Sequence, residues 1–240
     1  MDLGSETQHQ VMGYDRAAQT FSPSGHILQV EYAGKAAKLG SASIGILCKD
    51  GVVIVSDKKF VDKLVQKESA SKIYEVDSHI MASAAGILAD ARVLIEESQV
   101  LAQRHHVSYD SSIDVESVMR DIASTQQKFT QFGGGRPFGV AIMVAGVSDG
   151  KAQLYSSDIT GNYLSYKATA IGEKDEEVKE MLRKEYVENI NTDEGLKLAI
   201  KIFKKILGED FDLERLDVGV IKIDKLKLEK IEGRDLKRYE

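Results

Sequence analysis

The chain has 240 residues, 42% hydrophobic and 29% charged, which suits one large domain with a sizeable core. Its 32 basic and 38 acidic residues leave a net charge of −6, without the basic excess of a nucleic-acid binder. No apolar run approaches the roughly 20 residues that span a membrane, the polar Met1–Gln10 lacks a signal peptide's apolar stretch, and the lone Cys48 excludes an internal disulfide framework and suits a reducing cytoplasm.

Met1–Met12 is polar and without periodicity, as in a frayed terminus. Pro23-Ser24-Gly25 reads as a turn. From His26 to Leu39 the apolar positions Ile27, Val30, Ala33 and Ala37 recur at helical spacing; Gly34 weakens that helix by roughly 1 kcal/mol and Gly40 is expected to cap it. Strands are predicted at Ser43–Cys48 and Val52–Asp57, joined at Lys49-Asp50-Gly51 by a hairpin signal, and again at Lys72–Val76 and His79–Ala84. Ile87, Leu94 and Leu101, with Val93 and Val100 beside them, predict the apolar face of a helix. A second helix starts near Asp114 with Val115, Val118, Met119, Ile122 and Phe129 inside, and Gly133–Gly135 stops it.

Strands return at Phe138–Ala145, Ala152–Ser156, Tyr163–Tyr166 and Ala168–Ile171. After Gly172 come a helix through Val178, Met181, Leu182 and Tyr186, and another capped by Thr192 with Leu196, Ala199, Ile200 and Phe203 inside. Strands Leu216–Ile223 and Lys227–Ile231 follow, then a short charged helix from Glu232. Helix pairs between groups of hairpin-joined strands predict an α+β fold. That order is what a four-layer αββα sandwich of two antiparallel sheets flanked by helix pairs needs for every buried sheet face to be covered.

Several blocks carry a family resemblance: Met12 to Arg16 with Phe21 to Gly25, Gln29 to Ala33, Gly51 to Val53 with Ser56 to Lys58, Gly86 to Arg92, Thr130 to Gly139, and Tyr166 to Gly172. Together and in this order they resemble the alpha subunits of the archaeal-type 20S proteasome, in the superfamily of N-terminal-nucleophile hydrolases. The resemblance implies the αββα sandwich at residues 14–240 and a flexible gate segment at 1–13. It implies a seven-membered ring of alpha subunits stacked on beta subunits, in the cytoplasm. An ATPase activator would bring unfolded proteins to that ring for degradation. No nucleic acid, membrane, metal or cofactor is implied.

The catalytic beta relatives attack with an N-terminal threonine whose own amine is the base. Ser41, Asp57 and Lys72 fall on the corresponding positions. Forty residues precede Ser41, so its nitrogen is an amide and no base, and a non-catalytic subunit is expected. The alternative is a self-processing hydrolase that cleaves before Ser41. Of the other reactive residue types, His105-His106 reads as a solvated helix end, Cys48 as a core residue, and glycines 133–135 match no phosphate loop.

The resemblance also implies site roles. Tyr14, Asp15, Pro23 and Tyr32 match the cluster that holds the open gate. Lys72, with Glu31, Gly86 and Ile87, matches the pocket between neighbouring subunits that takes an activator's C-terminal carboxylate. A lysine is a compact cation suited to that group. Gly34, Phe132, Phe138 and Ile159 depart from the common family pattern.

Overall fold

The computed structural model describes residues 13–14, 19–59, 64–132 and 134–239. Helix α1 (Leu28–Leu39) leads into hairpin β1 (Ser43–Cys48) and β2 (Gly51–Asp57), then β3 (Ile73–Asp77) and β4 (Ile80–Gly86). Helices α2 (Leu88–Tyr109) and α3 (Val115–Gln131) precede β5 (Val140–Ser148), β6 (Lys151–Ser157), β7 (Tyr163–Ser165) and β8 (Ala168–Ile171). Helices α4 (Asp175–Glu185) and α5 (Thr192–Leu207) and strands β9 (Leu216–Lys222) and β10 (Leu228–Ile231) complete the sandwich. Residues Gly233–Tyr239 form the expected short charged helix, of the 3-10 kind.

The strands form two five-stranded antiparallel sheets, β10-β9-β2-β1-β8 and β3-β4-β5-β6-β7. Alternation along the strands sends side chains into three apolar layers. Ile44, Ile46, Val53, Val55, Val218 and Val220 pack under α4 and α5. Ala82, Ala84, Val140, Ile142 and Val144 pack under α2 and α3. Between the sheets lie Val52, Ile54, Ile73, Met81, Met143 and Leu154. A polar link crosses that middle layer, where the Ser83 hydroxyl on β4 lies 2.9 Å from those of both Ser43 on β1 and Ser56 on β2. All three serines are fully buried, so each needs such a partner.

The four-layer order is the one expected, with local corrections. On α2 the buried face is Ala91, Leu94, Ile95, Ser98 and Ala102, whereas Val93 and Val100 are exposed. Steps of three and four residues set a helix face, and small residues there let α2 lie close to the sheet; a valine beside the stripe turns outward. Phe129 on α3 is also exposed and meets Phe138 edge-to-face, with centroids 4.8 Å apart. Gln126 takes the inner position instead and donates to Val140 O at 2.9 Å. The cap of α5 is Asn191, in a capping box with Glu194, while Thr192 donates from its N–H and hydroxyl to the Asp50 carboxylate.

Gly40 caps α1 as expected, donating from its N–H to Ala37 O, with φ −67° and ψ 146°, outside the left-handed region. What requires glycine is the passage of the chain out of α1. A Cβ on Gly40 would lie 2.0 Å from the backbone nitrogen of Gly86, and one on Gly86 would lie 2.9 Å from Ala37 Cα and 2.2 Å from Gly139 O. Gly86 also holds φ +126°, a region side chains avoid. Gly40→Ala is expected to destabilise the protein by about 3 kcal/mol, because backbone blocks backbone and no side chain can yield. Urea unfolding measures it.

Candidate functional site

The crossing of Gly40 over Gly86 places Ser41 at the mouth of the sandwich. The Lys72 side chain runs along the edge of the sheets to it. Its ammonium donates to Ser41 O and to Ser41 Oγ, both at 2.7 Å. Lys72 is 3% exposed. Burial drives its pKa down to about 8, and the charges of Asp57 and Asp217 partly offset that fall. An ammonium has three N–H groups, and Ser41 takes two of them.

Asp57, the third member of the catalytic-like set, is turned elsewhere. Arg215 grips its carboxylate through Nε at 3.1 Å and Nη2 at 2.8 Å, and the Lys59 N–H donates to Oδ1 at 2.9 Å. Asp57 acts on Lys72 through its charge. The Gly40 carbonyl accepts from Glu173 N at 2.7 Å, so the peptide before Ser41 is tied on its acyl side. The described chain runs unbroken from Gln19 through α1 into Ser41, whose nitrogen lies within a peptide bond.

Two further groups near the mouth carry no signal in spacing. Asp90, in the first turn of α2, takes Arg136 in a two-pronged pair at 2.6 and 2.8 Å and accepts from Gly139 N at 2.9 Å. The Arg136 hydrogen bond, followed by that of Gly139, holds the Asp90 carboxyl below its usual range against the opposing effect of burial. Ile87 N donates to Gly139 O at 3.0 Å. The blocks Gly86–Arg92 and Thr130–Gly139, far apart in sequence, thus fasten to one another beside the mouth. Asp217 on β9 binds the backbone at Lys72 and was likewise not expected.

The expected pocket set divides between the two ends of α1. Lys72, Gly86 and the half-exposed Ile87 gather at its C-terminal end. Glu31 lies in its first turn, against His26. About eight helical steps run from Glu31 to the end of α1 at Leu39, roughly 12 Å at 1.5 Å per residue. The gate residues lie toward the Glu31 end. Pro23 is exposed in a turn closed by Gly25 N to Ser22 O at 2.8 Å. Tyr32 is half-exposed under Lys35, whose Nζ is 5.6 Å from the ring centre. Tyr14 is half-buried, and Asp15 lies outside the described residues.

His105 lies on the surface, its Nδ1 3.1 Å from Ser111 O. Cys48 is buried, and desolvation pushes its thiol up to about 12. No cluster of three or more metal-type side chains occurs among the described residues. None of their helices is long and apolar enough to cross a membrane.

Comparison with known families and proteins fits this geometry. The proteasome subunit family matches residues 37–221, and the N-terminal signature of A-type proteasome subunits matches residues 14–36. The proteasome alpha subunit of Methanosarcina acetivorans is 42% identical over 228 residues, covering 95% of this chain and 92% of its own. The chain belongs to the proteasome alpha-subunit family. The proteasome alpha subunit of Methanocaldococcus jannaschii is 42% identical over 225 residues, covering 94% of this chain and 86% of its own. That of Archaeoglobus fulgidus is 40% identical over 228 residues, covering 95% and 92%. In this alpha-family chain the boundary between the signature and the main family match falls within α1, shortly before the Gly40–Ser41 crossing.

The buried lysine gives a pH signature. Unfolding restores Lys72 from about 8 to its ordinary 10.5, so between those values the unfolded chain binds more protons. The cost of burying the ammonium is fully present below pH 8 and is relieved as pH rises through that window. The stability of the wild type relative to Lys72→Met is therefore expected to rise between pH 8 and pH 10.5, as urea unfolding at both ends would measure.

Proposed function

We propose that this chain is a non-catalytic ring subunit of a 20S-type proteasome. It would form the outer seven-membered ring on the beta subunits, gate the entry of unfolded proteins in the cytoplasm, and dock an ATPase activator. The observation that carries the non-catalytic half is the peptide bond at Ser41. Catalysis by the family's chemistry needs a free amine on the nucleophile to accept its proton. Here α1 continues into that nitrogen, and Arg215 occupies the carboxylate that would assist.

The docking half rests on the division along α1. A lysine ammonium that spends two of its three donors on Ser41 among the described residues sits at one end. Glu31 and the gate residues Tyr14, Asp15, Pro23 and Tyr32 belong to the other. In a closed ring with head-to-tail contacts, one protomer's Lys72 end faces a neighbour's Glu31 end. A terminal carboxylate entering between them would meet the ammonium, and Gly86 would let its backbone approach. Its arrival would then be felt beside the gate residues of the adjoining chain.

The reading makes distinguishable predictions. The intact mass of the purified chain is expected to remain that of the unprocessed sequence, and Ser41→Ala to leave peptide hydrolysis by the assembled particle unchanged. A product beginning at Ser41, with hydrolysis lost in Ser41→Ala, would establish self-processing instead, a reading for which the 2.7 Å contact between Lys72 Nζ and Ser41 Oγ is the supporting feature. Deletion of residues 1–12 is expected to speed peptide entry several-fold in the particle. Lys72→Ala is expected to abolish stimulation by an activator while assembly, followed by native mass spectrometry, persists.

A further inference from the structure

Behind Lys72 lies a carboxylate whose bonding is one-sided. Asp217, on β9, is 1% exposed. Its Oδ2 accepts from Lys72 N at 2.6 Å, from Ile73 N at 3.0 Å and from the Ser71 hydroxyl at 2.8 Å. Its Oδ1, equally buried, has no hydrogen-bond partner among the described residues. β9 belongs to one sheet and the Ser71–Ile73 segment opens β3 in the other, so these bonds span the sandwich at its mouth.

The three donors are a hydroxyl and two backbone amides, so none neutralises the charge. A buried carboxylate without a compensating cation is costly, the more so with one oxygen unpaired. Several charged or titratable groups surround the lysine. Asp57 on β2 is engaged by Arg215, which precedes β9. Lys230 on β10 reaches the Ser71 hydroxyl at 2.8 Å. Tyr74 follows on β3, and the charge of Asp217 helps to raise its pKa, behind burial. Two cations stand near Asp217: Lys230, one hydroxyl away through Ser71, and the buried Lys72 ammonium, whose own hydrogen bonds go to the neutral oxygens of Ser41.

We propose that Asp217 is the positioning residue of the Lys72 site: its carboxylate locks the Ser71–Ile73 backbone so that the lysine reaches Ser41, and its charge adds to that of Asp57 in favouring the ammonium there. The inference deepens the docking role proposed above and rests on that role only for what the ammonium binds. Asn at position 217 keeps an oxygen for the three donors and removes the charge, so position and charge can be separated.

The experiment has two readouts on the full chain in its native assembly. The first is a titration of the Lys72 ammonium by nitrogen-15 NMR of labelled lysine, with the resonance assigned by its loss in Lys72→Ala. The wild type is expected to lose its proton at about 8, Asp217→Asn at a clearly lower pH, and Ser71→Ala close to the wild type. The second is binding of a fluorescein-labelled octapeptide of alternating alanine and leucine, with a free C-terminal carboxylate or amidated, at pH 6.5 and pH 8. The wild type is expected to favour the carboxylate form about tenfold at pH 6.5. Asp217→Asn should lose most of the preference that the wild type keeps at pH 8, and Ser71→Ala should lose about threefold at both values. An unshifted Lys72 midpoint in folded Asp217→Asn would reduce Asp217 to a clamp between sheets. Unchanged peptide selectivity in Ser71→Ala, a variant that leaves every charge in place, would overturn the positional half even if Asp217→Asn did not fold. A shifted midpoint in a chain that never prefers the carboxylate peptide would sink the docking reading and leave the positioning role standing.

Discussion

The structure depends on one close passage, that of the Gly40 backbone over Gly86. α1 must turn down into β1 just where β4 ends and α2 begins, and a separation that excludes a Cβ on either strand of chain brings these four elements together. The passage fixes where Ser41 emerges. It thereby fixes what Lys72 can reach, since the ammonium follows the Ser41 carbonyl. Glu173 ties the other side of the same segment through Gly40 O, and the Asp90–Arg136 pair holds the start of α2 from behind.

Around that passage, buried polar groups divide the work between sheet cohesion and site geometry. The serine hydroxyls of β1, β2 and β4 join the sheets through neutral hydrogen bonds, with little desolvation cost once each is paired. The charged groups at the mouth are arranged differently. Among the described residues, Arg215 neutralises Asp57 directly, Asp217 accepts from neutral donors, and Lys72 donates to neutral oxygens. The lysine is therefore held by geometry and stabilised by charges that do not touch it, an arrangement whose balance is easily altered by a new anion.

Much of this was legible in the sequence. The Asp50-Gly51 turn, the paired helices and the order of strands follow from local periodicity and turn chemistry, and the sandwich follows from the need to cover both sheet faces. The resemblance assigned Lys72 and Gly86 to one expected pocket, and both lie by the C-terminal end of α1. The misreadings have local causes. A seven-residue repeat drew Val93 and Val100 onto the face of α2, although Ala91, Leu94, Ile95, Ser98 and Ala102, at steps of three and four, pack there. Gly40 ends a helix, and its need for glycine comes from a strand 46 residues away. Asp217 and Arg215 lie more than 140 residues from the groups they bind, and no periodicity in either segment records such a pairing.

α1 is anchored unequally. Ala37, near its C-terminal end, is its one buried residue, whereas Ile27, Val30 and Ala33 at and beyond its start remain half-exposed. The helix is thus a cantilever, clamped where it meets Gly86 and lightly supported at the far end. Little apolar contact holds the end near Pro23, whereas Ala37 is packed into the sandwich. The two ends of one helix thus differ in what holds them: packing at the mouth, and mostly solvent at the tip.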